Sequence, residues 1–325
     1  MLRTVEMAVA DARANGLDIE VKAVDDKENA ATAAEVAWGL AKDPSVIAVI
    51  GHKNSGPSKA AASVYSEAGL TQVTQCSTDN SLSRSGWRTF FRLCADNERQ
   101  AEVGAQFAHQ RLPGARAFAV HDSTDYGRPL VEAFARTLEA LSGNPVRVLA
   151  MQVGQNDFTE IVDELSAGDA EILDLGATEI ESSKLMKALD AARVRPLVIS
   201  SEGGPDNPIV RLAGTAGEGS VHLYAGTDPG ATSASRELVE RCRAAFGETP
   251  SYVVECYDAV RVIASALKRG AANRAELRDA VAATNMEGIA GRIRFDANGD
   301  RINAPVSLWT IHGGEMVPLV DSVRS

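Results

Sequence analysis

Small polar residues gather where apolar runs give out: GHKNSG from Gly51, TQCSTDNS from Thr74, HDSTDYG from His121, GATE from Gly176 and SSEGG from Ser200. Hydroxyls and backbone amides in such turns are groups suited to holding a small charged molecule. The first of these turns is the most informative. Val46 to Ile50 is apolar without polar alternation, which suits a parallel strand covered by helices on both faces, and Gly51 ends it. Pro57 suits the first turn of a following helix, so the amides near Ser55 and Gly56 are left to receive a carboxylate or a phosphate. An ordinary strand-to-helix turn with a capping serine has the same sequence.

Bond-breaking chemistry has little support. No GxGxxG follows a strand, GTAGEGS from Gly214 follows a helix, and GxxxxGK[ST] and GxSxG are absent, so dinucleotide, P-loop and serine-hydrolase readings lack their motifs. His52, His109, His121, His222 and His312 show no metal-ligand spacing, and His52 and His121, at strand ends, read as hydrogen-bonded turn residues. No metal and no cofactor is expected. Cys76, Cys94, Cys242 and Cys256 are too irregularly spaced for a metal knuckle and read as buried thiols, which leaves the compartment open.

The elements that position these turns alternate between strand and helix. Residues 1 to 16 read as an amphipathic helix, Asp18 to Val24 as a strand, Glu28 to Lys42 as a helix and Leu70 to Cys76 as a strand. A short segment at Phe90 to Leu93 and a helix over Ala101 to Arg111 follow. The rhythm then restarts, with strands at Ala115 to His121, Val146 to Gln152, Ala170 to Leu175, Pro196 to Ser201 and Gly219 to Gly226, and helices over 130–141, 158–166 and 182–192. Repeated βα units imply parallel sheets with right-handed crossovers. Two such runs imply an α/β protein of two doubly wound lobes, whose ligands lie at the carboxyl ends of the strands.

At 325 residues and 45% hydrophobic content, the chain can build a core for each lobe. A net charge of -11 disfavours a nucleic-acid partner, and no apolar stretch is long enough to insert in a membrane as a helix.

The turns, taken in order, resemble those of the periplasmic leucine/isoleucine/valine-type substrate-binding proteins of ABC importers, which have the type I periplasmic binding fold. The resemblance rests on VIAVIGH with SVYSEAG after it, TQCSTDNSLSRSG before FFRLCADNERQ, HDSTDYG, the glutamate of SSEGG, the PSYVVECYDAV helix and RIRFDANGD, and it covers almost the whole chain. It implies a solute-binding protein outside the cytoplasm, with an ABC permease as partner, that closes on a small amino acid or related carboxylate by hinge motion. It places the ligand carboxylate at Ser55, Gly56 and Thr78, and the ammonium at the Cys76 carbonyl and Glu202. Tyr126 covers the ligand from the far side. Tyr252 lies near its side chain, and Ala177 and Thr178 occupy a turn where a larger aromatic is common. Lys53 either points to solvent or marks a ligand with a polar or anionic tail.

The lobes implied are 1–97 with 225–300, and 98–224 with 301–325. Family members begin with an exported leader, a strand and a small-residue loop, whereas this sequence starts within the first helix. It is therefore expected to be part of a longer exported protein, whose first strand would lie centrally in its sheet. Gln75 replaces a common proline, and the family's early disulfide has no matching cysteines. A cytoplasmic amide or amino-acid sensor of the same fold is the alternative.

Overall fold

Short apolar runs become strands and the longer amphipathic stretches between them become helices, in the alternation the sequence implies. The computed structural model of the chain describes residues 1–201, 203–205 and 207–319. It divides into unit 1, Met1–Asp96 with Gly226–Pro305, and unit 2, Asn97–Ala225 with the chain from Val306 onward.

Unit 1 opens with α1 (Leu2–Ala14), α2 (Ala30–Lys42), β1 (Ala48–Ile50), α3 (Ser55–Glu67), β2 (Thr71–Thr74), α4 (Ser81–Arg84) and β3 (Phe90–Arg92). Asn29 starts α2 by accepting a bond from Thr32 N–H. The strands form a parallel sheet in the order β1-β2-β3, with Ile50 beside Val73 and Thr74 beside Arg92. Ala37 and Leu40 of α2 pack with Ala61, Val64 and Tyr65 of α3 and with Leu70.

Unit 2 then runs through α5 (Asn97–Arg111), β4 (Ala117–His121), α6 (Gly127–Ser142), β5 (Val146–Ala150), α7 (Thr159–Ala167), β6 (Ile172–Gly176), α8 (Glu179–Ala192), β7 (Leu197–Ser200), α9 (Ile209–Ala213) and β8 (Val221–Tyr224). The chain returns to unit 1 for α10 (Ser233–Phe246), α11 (Val253–Lys268), α12 (Arg274–Ala282) and the hairpin β9 (Asn285–Gly288) and β10 (Gly291–Arg294). It ends in unit 2 with the hairpin β11 (Ser307–His312) and β12 (Glu315–Pro318). On the return, Val73, Phe91 and Leu93 are covered by Ala259, Val262 and Ile263 of α11 and Leu277 of α12.

The unit 2 sheet has the order β12-β11-β8-β7-β6-β4-β5, parallel from β8 to β5 and antiparallel across β11 and β12. Period-2 alternation separates its two cores. Ala117, Ala119, Ile172 and Ile199 meet α5 and α6 on one face, whereas Phe118, Val120, Leu173 and Leu175 meet α7 and α8 on the other. That is the doubly wound arrangement, with α/β parallel sheets in both units. No helix among the described residues is long and apolar enough to cross a membrane.

One expectation fails. Asp18 to Val24 forms no strand, because β1 pairs only with β2 and no strand lies on its other side among the described residues. The segment is held instead through the side chain of Lys22, which pairs with Asp43 at 2.6 Å, and just beyond it Asp26 meets His52 at 2.6 Å.

Candidate functional site

Within unit 1, the parallel register of β1 and β2 brings the turns after them out side by side. Side chains of the second turn hold the backbone of the first. The His52 carbonyl accepts from Thr74 Oγ1 at 3.1 Å and Ser77 Oγ at 2.9 Å, and the Lys53 carbonyl accepts from the Cys76 thiol at 3.2 Å. Ser55 Oγ in turn accepts from Asp79 N–H at 3.3 Å. Ser55, Cys76 and Thr78 are thus brought together, all buried.

Asn54, the residue before α3, makes no side-chain bond to the helix, so the first amides, at Ser55 and Gly56, sit at an uncapped N-terminus. Peptide dipoles make such an end favourable for an anion. The buried Thr78 hydroxyl has no partner among the described residues. Burial, with Cys94 and Cys256 nearby, pushes the Cys76 thiol well up, so it remains protonated. Among the described residues all four cysteines are free and buried. Lys53 is half-exposed and pairs with Glu28 at 3.1 Å, which answers in favour of solvent. His52 is a buried turn residue whose ring nitrogens meet Asp26 and Tyr65, the latter at 3.1 Å. In unit 2, His121 Nδ1 accepts from Ser123 N–H at 3.0 Å, and burial lowers its pKa.

Tyr252 stands at the N-terminus of α11 with φ +54, a left-handed conformation that is uncommon for an aromatic residue and is seen where surrounding structure enforces it. It lies one turn before Glu255 and Cys256, both of which act electrostatically on Cys76.

Unit 2 supplies Tyr126 and Thr178 from the ends of β4 and β6. These strands are neighbours, with His121 opposite Gly176, yet the chain leaves β4 toward β5 on one side and β6 toward β7 on the other. This reversal is the switch point at which doubly wound sheets open a crevice. Gly127 and Gly176 let the turns meet: a Cβ on Gly127 would lie 2.0 Å from the Gly176 carbonyl oxygen. Tyr126 donates its phenol to the Ser201 carbonyl at 3.2 Å, which ties the β4 turn to the end of β7. Thr178 donates to Glu181 at 2.5 Å. Burial works against the Glu181 carboxylate, but the bonds from Thr178 and from Gly154 N–H prevail and lower its pKa. Glu202 lies outside the described residues.

Two residues under the unit 1 turns were not singled out from sequence. Arg92 is fully buried; it pairs with Asp300 at 2.7 Å and donates to the carbonyls of Asp79 at 2.8 Å and Ser77 at 3.3 Å. Glu255 is buried in the first turn of α11 and accepts from Thr227 N–H at 2.8 Å. An arginine inside FFRLC and a glutamate inside YVVECY, each a charge in an apolar run, were the available signals. The described residues contain no group of three or more histidine, cysteine or acidic side chains able to hold a metal ion.

This fold, with small polar turns at the strand ends, defines a class of α/β solute-binding protein. The chain belongs to the periplasmic binding protein family, whose model matches residues 1–315. It is 27% identical over 290 residues to the Leu/Ile/Val-binding protein homolog 1 of Brucella melitensis, a match covering 88% of this chain and 77% of that protein. Among solved structures, a leucine binding protein, LivK, from Thermotoga maritima superposes with a TM-score of 0.88 at 23% identity, covering 97% of this chain and 92% of that one. The branched-chain amino acid transporter substrate binding protein LivJ from Streptococcus pneumoniae, in complex with isoleucine, gives 0.84 at 21% identity, covering 97% and 93%. At these identities the two structures establish the type I fold.

Proposed function

We propose that the chain is the substrate-binding component of an ABC importer, working outside the cytoplasm with a membrane permease, and that it binds a small amino acid or related carboxylate. The observation that carries the reading is the uncapped start of α3 beside the unpartnered, buried Thr78 hydroxyl, a pairing suited to a carboxylate. Ser55, Gly56 and Thr78 would hold that carboxylate, and the Cys76 carbonyl and Glu202 the ammonium. Tyr126 would cover the ligand backbone, and Tyr252 and Thr178 would border its side chain. The two lobes would close about the ligand by hinge motion, giving the permease a liganded state to recognise. Family membership and the names of the relatives support the transport role.

Calorimetric titration of Glu202→Ala tests the ammonium assignment. The expected result is an affinity loss of at least tenfold, since an unpaired charge is costly to desolvate. Affinity kept within a few-fold would refute the role of Glu202.

A further inference from the structure

Every polar atom of His52 is engaged, and its partners come from the segment before α2, from α3 and from the end of β2. Its N–H donates to Ser58 Oγ at 3.2 Å, and its carbonyl accepts from Thr74 Oγ1 and Ser77 Oγ. Nδ1 meets the Asp26 carboxylate at 2.6 Å and Nε2 the Tyr65 phenol at 3.1 Å, with the two rings stacked at 5.9 Å between centroids. A carboxylate only accepts, so Nδ1 carries the proton and Nε2 accepts from the phenol. Both rings are buried.

These partners frame the candidate carboxylate site. Ser58 and Tyr65 lie on α3, whose first amides are those of Ser55 and Gly56, and Ser77 directly precedes Thr78. His52 is three residues before Ser55, so its place fixes the start of α3 relative to the turn that carries Thr78. The tie to Asp26 reaches this joint from a segment with no ladder bonds of its own. Asp26 Oδ1 also accepts from Glu28 N–H at 2.8 Å, and Glu28 pairs with Lys53. The segment is thereby fastened to the β1 turn at two successive residues.

We propose that His52 is a positioning residue for the ligand carboxylate: held by Asp26 at one ring nitrogen and Tyr65 at the other, it sets the Ser55 and Gly56 amides and the Thr78 hydroxyl at the spacing one carboxylate spans. This rests on the amino-acid-binding reading above. A displacement of about 1 Å is enough to spoil such a constellation, so loosening the ring lowers affinity without removing any group assigned to the ligand.

Calorimetric titration of the whole chain, well below its melting temperature, with leucine, valine, glutamine, serine and lysine tests this, using wild type, Asp26→Ala, Asp26→Asn and Tyr65→Phe. Asp26→Asn is the conservative variant: its Oδ1 keeps the Glu28 N–H bond while its amide donates to Nδ1, the imidazole taking the other tautomer and donating from Nε2 to Tyr65. For the amino acid that wild type binds tightest, the expected affinity is about five- to tenfold weaker in Asp26→Ala, somewhat weaker in Tyr65→Phe, and within about twofold of wild type in Asp26→Asn. Affinity within about twofold of wild type in Asp26→Ala, with only the melting temperature lowered, overturns the proposal and leaves the amino-acid reading standing. Equal losses in Asp26→Ala and Asp26→Asn overturn it too, because the ligand then senses the charge of Asp26 and not the place of the ring. If Asp26→Ala does not fold, Tyr65→Phe, which removes one oxygen from a buried ring, decides by the same criterion. Absence of binding of every amino acid to wild type overturns the underlying reading and this proposal with it.

Discussion

Thr78 carries a buried hydroxyl that makes no bond among the described residues. Thr78→Val keeps the shape and removes the hydroxyl. It is predicted to weaken ligand binding about five- to tenfold, the worth of one hydrogen bond, while leaving the melting temperature unchanged or slightly higher. Calorimetry paired with a thermal melt checks both halves. Glu255 has a signature in pH. Burial raises its pKa from 4.5 to about 7, against the bond from Thr227 N–H and the field of Arg301, with the Cys76, Cys94 and Cys256 thiols around it. Between those pH values the unfolded chain has lost the proton and the folded chain keeps it, so its contribution falls as pH rises through the window and is level above it. Glu255→Gln should therefore match wild type near pH 4 and exceed it at pH 8, by on the order of 3 kcal/mol. A pH-independent difference in denaturant titrations would contradict this. Ser55 was singled out by the strand end before it, and Cys76 and Thr78 by the resemblance; the structure sets the turns that carry them side by side. Arg92 and Glu255 were not singled out, because a buried charge is explained by a partner distant in sequence, such as Asp300 for Arg92.

The turn after β2 is held from below by Arg92, bonded to two carbonyls of that turn, to Ser83 Oγ at 3.1 Å and to Asp300 on the return segment. Arg92→Met is predicted to destabilise unit 1 by about 3 to 5 kcal/mol, because it leaves a largely buried carboxylate and two carbonyls without their donor. Adding Asp300→Asn should recover part of the loss. If Arg92→Met changes stability by less than about 1 kcal/mol in urea unfolding, the clamp is unimportant. The alternation of strand and helix was readable because buried parallel strands are short apolar runs bounded by small polar turns. Asp18 to Val24 has a strand's alternation, but alternation specifies a face and not a neighbour, and without a neighbour its amides find no ladder. The β11–β12 hairpin escaped the sequence reading although Gly313 and Gly314, both at positive φ, mark its turn. It extends a parallel sheet with antiparallel strands, which a βα rhythm does not anticipate.

At the scale of the molecule, the two units have separate cores, and each presents polar groups where its strands end: amides and hydroxyls in unit 1, a phenol and a polar turn at the switch point in unit 2. The resemblance read from six motifs and the family match over residues 1–315 agree. Ligand identity is less legible because it depends on which side chains border the ligand beyond its shared amino-acid backbone. Thermal unfolding of the whole chain against a panel of amino acids, amides and aromatic acids tests the central claim most directly. A ligand present at about 100 times its dissociation constant should stabilise the folded state by about 2.7 kcal/mol, seen as a melting temperature that rises with ligand concentration. The account predicts that rise for at least one α-amino acid; no shift with any amino acid at millimolar concentration would contradict it.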